Sequence, residues 1–229
     1  MGISNGPSPS VNARIERPLP SGLLDEEVRV SHGLLLDPRW VAGMLALDVA
    51  LADEVRSAGC PCGGRLHRAS YPRKPRGLLP GFEVEALDRR LSFCCDRDGC
   101  RERATPPSVV FLGRRVYAGA AVVLGAALRH GPTPWRLQQI VALLGVSLRT
   151  LRRWLVWWRT TFTATLLWRT LQGRLALRDG AAAGRLPRSL LEAAGEGDPG
   201  AALERVMTWL LPITSHTPLP PGSRFAMLF

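Results

Sequence analysis

The sequence predicts a mainly α protein with a small β zinc ribbon and a helix-turn-helix helical domain. Three observations predict it. All five cysteines fall between residues 60 and 100, among clustered turn residues and short apolar alternations. On both sides of that segment apolar residues recur at helical spacing. And the stretch RLQQIVALLGVSLRTLRRWLVWW joins two such helices through a glycine and a serine.

Taken in order, residues 1–22 are polar and rich in Pro and Gly and read as a disordered leader. Residues 23–59 form an N-terminal helical segment. Its helix should start at Asp37 and Pro38, a cap followed by a residue that tolerates the first turn, and should stop at Gly59. Trp40, Met44, Leu47 and Leu51 mark its packing face.

Residues 60–112 form a zinc-ribbon-like module. Strands are expected over RLSFCC (Arg90 to Cys95) and PPSVVFLG (Pro106 to Gly113). In Cys60-Pro61-Cys62-Gly63-Gly64 the glycines leave room for backbone N–H groups to turn in towards sulfur. Cys60 and Cys62 therefore make a first metal-binding knuckle, one residue shorter than the usual C-P-x-C-G. The second knuckle draws on Cys94, Cys95 and Cys100. Cys95 shares a strand face with Phe93, so Cys95 and Cys100 complete the set and Cys94 points away, with His67 as a possible substitute ligand. Four thiolates leave no open position for a catalytic water, so the zinc is structural. The loop YPRKPRG between the knuckles projects Arg73, Lys74 and Arg76, stiffened by Pro72 and Pro75.

Residues 113–178 form the helix-turn-helix domain. RRVYAGAAVVLGAALRHG reads as one helix ending at Gly131, and two more run from Trp135 to about Leu177. Gly145 permits a left-handed turn, Val146 plugs the angle between helices, and Ser147 caps the next N-terminus. Leu148, Leu151, Leu155, Trp158 and Phe162 form one apolar stripe of the second helix. Arg149, Arg152, Arg153 and Arg159, with Thr150 among them, lie on another. Ser147, Arg149, Thr150, Arg152 and Arg153, with Arg73, Lys74 and Arg76, are the candidate DNA contacts. Residues 179–229 hold weaker helices and a Pro-rich tail.

Charge supports a polyanionic partner. Formal net charge is +11, and of 30 basic residues only Lys74 is a lysine. Between Arg103 and Arg178 there is no Asp or Glu, so one sign of charge dominates that stretch. Double-stranded DNA is the expected partner, with no membrane contact. The longest nearly apolar run, Val116 to Leu128, is too short to span a bilayer, and no export signal is visible. A cytoplasmic, nucleoid-associated location follows.

CPCGGRLHRASYPRKPRG, FCCDRDGCRERATPPSVVFLGRRVY and LGVSLRTLRRWLVWWR together resemble a family of short bacterial proteins associated with insertion elements. The order of parts is similar to the N-terminal DNA-binding region of insertion-sequence transposases, over roughly residues 35–175. The resemblance implies binding to element DNA, with Cys60, Cys62, Cys95 and Cys100 matching the ribbon ligands and Ser147 to Arg153 matching the start of the recognition helix. The short first knuckle departs from the pattern. A catalytic domain is not implied: the carboxylate-free segment cannot supply the three acids that two-metal strand transfer needs. The expected function is a non-catalytic DNA-binding accessory factor or regulator of transposition. The alternatives are a subunit that docks a catalytic transposase and an inactive transposase remnant.

Overall fold

The computed structural model describes residues 33–73, 76–77, 85–112, 117–127, 133–177, 180–195 and 197–225. Helix α1 spans Pro38–Ala58. Asp37 caps it by accepting from the Arg39 amide, and Gly59 ends it with a positive φ. Its buried face is Val41, Met44, Asp48, Leu51, Ala52 and Val55, while Trp40 and Leu47 are only half-buried.

After α1 come five short strands: β1 (Leu66–Arg68), β2 (Tyr71–Pro72), β3 (Arg89–Arg90), β4 (Phe93–Cys95) and β5 (Arg103–Ala104). β1, β4 and β5 form an antiparallel sheet with Leu66 opposite Cys95 and Phe93 opposite Ala104. β2 pairs with β3, setting Tyr71 opposite Arg90. The strand expected over residues 90–95 is thus broken at Leu91 and Ser92, and its two halves serve different sheets. A small core of Ala52, Val55, Leu66, Phe93 and the buried cysteines fastens the three-stranded sheet to the end of α1.

Of the segment expected as a strand from Pro106 to Gly113, Phe111–Leu112 forms a strand, β6, against β7 (Tyr117–Ala118), residues 106–110 carry no strand and bend at Val109 and Val110, and Gly113 lies outside the described residues. The two prolines have no amide hydrogen to offer a ladder. The next donors are taken by side chains. Ser108 Oγ accepts from the amides of Val110 and Phe111, and the Asp48 carboxylate accepts from the Val109 amide at 2.7 Å and from the Ser108 hydroxyl.

This buried carboxylate carries a testable consequence. Burial, opposed by the Ser108 hydroxyl and the Arg90 charge, pushes Asp48 up to about 6. A carboxyl raised in the folded state holds its proton there at a pH where the unfolded chain has lost it. The stability it contributes is therefore present below pH 4 and lost as pH rises through 6, a difference of about 3 kcal/mol. In Asp48→Asn this dependence should vanish. Urea unfolding of both proteins from pH 4 to 7 should give a wild-type-minus-variant difference that falls across the window. A flat difference would show that Asp48 titrates normally.

β7 leads into α2 (Gly119–Ala126), a helix of small apolar residues buried on nearly every side. Tyr117 and Ala118 are therefore strand, not the helix expected there, because the backbone pairs with β6 first; the expected end at Gly131 lies outside the described residues. α2 packs against α3 (Pro134–Leu144), α4 (Leu148–Trp157) and α8 (Pro199–Trp209), and α5 (Leu166–Arg174), α6 (Gly180–Gly184) and α7 (Arg188–Ala193) add further side chains to the main core. A Cβ on Gly119 would meet the Met207 methyl of α8 at 2.2 Å, so any side chain there would push the Met207 tip aside. α4 widens to π geometry over Trp158–Phe162, where its aromatics enter the core.

The Pro-rich tail is a strap. Thr214 and Thr217 hydroxyls accept from the Ser108 and Thr105 amides, each at 3.0 Å. Arg224 pairs with Glu54 of α1 at 3.1 Å. Among the described residues no helix is long and apolar enough to cross a membrane.

Candidate functional site

Two knuckles bring four sulfurs together. In the first, Cys60-Pro61-Cys62-Gly63-Gly64, the Gly63 amide donates to the Cys60 carbonyl at 2.8 Å and the Cys60 amide to the Gly64 carbonyl at 3.0 Å. In the second, Gly99 turns the chain with φ 83°, so that Cys100 returns towards Cys95. The sulfurs of Cys60, Cys62, Cys95 and Cys100 all lie within 4.8 Å of one another. Cys60 to Cys100 is 3.7 Å and Cys62 to Cys95 is 3.5 Å. Sulfurs held about 2.3 Å from a tetrahedral ion are about 3.8 Å apart, whereas a disulfide needs about 2.05 Å. All five cysteines are free thiols. The one-residue spacer of the first knuckle therefore does not prevent convergence.

Backbone amides aimed at the sulfurs favour thiolates, and burial and the crowding of sulfurs oppose them. The Arg97 amide donates to the Cys95 sulfur at 3.4 Å. The Gly64 amide, followed by the sulfurs of Cys100 and Cys95, brings the Cys62 thiol down to about 7. For Cys95 the Arg97 amide works in the same direction, but burial and the three neighbouring sulfurs outweigh it and push the thiol up to about 12. One sulfur ionises readily and the last resists, the pattern of a cluster whose mutual repulsion a cation would relieve. Gly64 is part of the design: a Cβ there would sit 2.4 Å from the Cys95 sulfur.

Of the two substitute ligands, neither joins the cluster. Cys94 lies opposite His67 across β1 and β4, its sulfur 3.6 Å from the Arg101 carbonyl. His67 Nε2 is 3.2 Å from Asp96, which also accepts from the Arg65 amide at 2.8 Å. The His67 hydrogen bond, with help from that amide, holds the Asp96 carboxyl below its ordinary range. Asp96 thus ties the second knuckle to β1, and Arg97 reaches the Cys62 carbonyl from the same loop. Asp96 was not singled out in the sequence, though its place directly after a ligand is the local signal for such a brace.

The second candidate region is the α3–α4 pair. Thr133 caps α3 by accepting from the Arg136 amide, and α3 ends at Gly145 with φ 58° and ψ 26°. Val146 is buried, and Ser147 caps α4 by accepting from the Thr150 amide. Ile140, Leu144, Leu151 and Trp154 pack the angle as expected. Arg149, Arg152, Arg153 and Arg159 are exposed on the opposite side from Leu151, Leu155 and Trp158. Among the described residues, none of these four arginines pairs with a carboxylate. Thr150 differs from its expected role: it is 7% exposed, its hydroxyl lies 3.0 Å from that of Ser147, and Arg153 donates to it at 3.2 Å. It braces Arg153 rather than facing outward.

The basic loop is only partly as expected. Arg73 does not project freely: it is half-buried with its guanidinium 4.5 Å from the Tyr71 ring centre, and Pro72 belongs to β2. Arg76 is exposed, and its carbonyl accepts from the Ala118 amide at 2.9 Å. Lys74 and Pro75 lie outside the described residues. Gly77 next to Arg76 lies close to Ala121 of α2 and to the Trp154 ring on the buried face of α4.

These sites are what the molecule offers for identification. Compared with known proteins, the chain matches no protein-family model, no curated protein and no solved structure.

Proposed function

We propose that this is a non-catalytic DNA-binding protein, an accessory factor or regulator of transposition of the insertion-element type. In this reading the four-cysteine cluster holds one structural zinc ion as a zinc ribbon. α3 and α4 act as a helix-turn-helix whose second helix enters the major groove. The observation that carries it is the exposed row of Arg149, Arg152 and Arg153 at the start of α4. The row is freed of nearby carboxylates over the whole stretch from Arg103 to Arg178. Guanidinium forks match guanine edges and phosphates, and the N-terminal turns of a recognition helix are where base contacts are made. Arg76 would add a phosphate contact beside the helix.

Duplex binding should weaken steeply with salt, each neutralised phosphate contributing about −0.9 to the slope of log affinity against log salt. Arg149→Ala or Arg153→Ala should relax sequence preference by roughly 1–3 kcal/mol where the residue reads a base. Footprinting and salt-titrated gel shifts check both. An unchanged footprint and slope in the two variants would remove α4 from the interface. Co-purification with an acidic transposase at high salt, without any DNA shift, would replace this reading by the docking subunit.

A further inference from the structure

The geometry points to an anion-binding pocket, separate from the arginine row of α4, that takes the phosphoryl group of a ligand. It is a cavity of about 350 Å³ between β2, β3, β5 and the C-terminal strap. That volume falls in the range of small-ligand sites.

Three guanidiniums converge on it from different elements: Arg73 after β2, Arg90 on β3 and Arg103 on β5. His216 and the hydroxyl residues of the strap close the other side, and the described residues lining it include no carboxylate. Arg90 is the telling group. It is 6% exposed, yet among the described residues its guanidinium makes one hydrogen bond, from Nη2 to the Pro106 carbonyl at 2.6 Å. Its other donors have no protein acceptor among the described residues. Asp48 attracts it through space but makes no ion pair with it, being committed to Ser108 and Val109. A buried guanidinium with spare donors at a cavity wall wants a bidentate oxyanion, and phosphate fits that fork.

The other two arginines are held in place for the same task. Both lie over the Tyr71 ring, Arg73 at 4.5 Å and Arg103 at 5.6 Å from its centre. Arg103 also donates to the Ala69 carbonyl at 3.2 Å. Like charges crowded on one ring are unfavourable unless an anion joins them. Such a site does not depend on DNA binding by α4.

The test is calorimetry on the full-length, zinc-loaded protein, with inorganic phosphate and AMP as probes at constant ionic strength. Arg90→Gln is the direct variant but removes a buried bond, so Arg73→Gln/Arg103→Gln, both nearer the surface, serves beside it. Arg56→Gln, an exposed arginine on α1, controls for lost charge. Saturable one-to-one binding, weakened tenfold or more in the double variant and unchanged in Arg56→Gln, is expected, with metal content equal in all. No saturable binding, equal affinity in the double variant, or equal weakening in the control would overturn the pocket. Two supporting outcomes separate the sources of the phosphoryl group. A DNA salt slope reduced by about 1 in the double variant marks a backbone phosphate. An unchanged slope, with AMP bound at least tenfold more tightly than phosphate, marks a free phosphorylated ligand.

Discussion

Stripping the metal from Cys60, Cys62, Cys95 and Cys100 is expected to unfold the module of residues 60–105 and leave the helical core standing. The apolar support for that module is small. Among the described residues its own small core has only Leu66 and Phe93 as large buried apolar side chains, with Val55 of α1 beneath them, while Leu87 packs into the main core. At roughly 1.5–3 kcal/mol each, they fall far short of the roughly 1–2 kcal/mol of backbone entropy lost by every ordered residue. Its strands are two or three residues long, too short to hold by pairing alone. Ligation by four thiolates contributes on the order of 10–16 kcal/mol of apparent binding energy. The large core around α2 includes none of the cysteines and should not respond.

Mass spectrometry under native conditions should therefore find one zinc per chain. After chelation, trypsin should cut at Arg65, Arg68, Arg97 and Arg101 while α4 stays protected. Gly64→Ala should produce the same cleavage pattern without removing a ligand, because its Cβ claims the space of the Cys95 sulfur. Cys94→Ser should behave as wild type. A protein that carries no metal, and that chelator leaves equally resistant, would refute the centre.

What the sequence disclosed and what it hid follow the range of the interactions. The limits of α1 were legible because Asp37, Pro38 and Gly59 act within one turn of where they stand. The α3–α4 turn was legible for the same reason, through Gly145 and Ser147. The convergence of Cys60, Cys62, Cys95 and Cys100 was legible because each knuckle is local and Phe93 reports the inward face of β4. By contrast, Tyr117 and Ala118 sit inside a helical apolar pattern, and their distant backbone partners, Phe111 and Leu112 with Arg76, make them strand. The strap depends on Thr214 and Thr217 meeting residues more than a hundred positions away, for which no periodicity exists. Asp48 left a signal that went unread: a carboxylate in the buried row between Met44 and Leu51 needs partners. Arg90 left none, since its burial is set by the strap and by Pro106.

Trp158→Ala should cost about 3–5 kcal/mol of stability, the range for deleting a large core aromatic, and lower the melting temperature by about 10 °C. Trp158 is fully buried where α4 crosses α2, and its Nε1 donates to the Val122 carbonyl at 3.4 Å. Its ring stands edge-on to Trp157 and Phe162, with centroids 4.9 and 4.8 Å away, and Phe162 passes the contact to Trp168 of α5. Removing it opens a void that α2, packed through glycine and alanine, cannot collapse to fill. Arg153→Ala, exposed one turn and a half earlier on the opposite face, should change stability by no more than about 0.5 kcal/mol. The two variants therefore separate scaffold from surface. Trp158→Ala should bind duplex with the wild-type salt slope in the cold and lose binding on warming as it unfolds. Arg153→Ala should keep its melting temperature and lose contacts at every temperature. Thermal melts beside gel shifts at two temperatures decide the matter. A wild-type melting temperature for Trp158→Ala would mean that the aromatic cluster does not hold α4 in place.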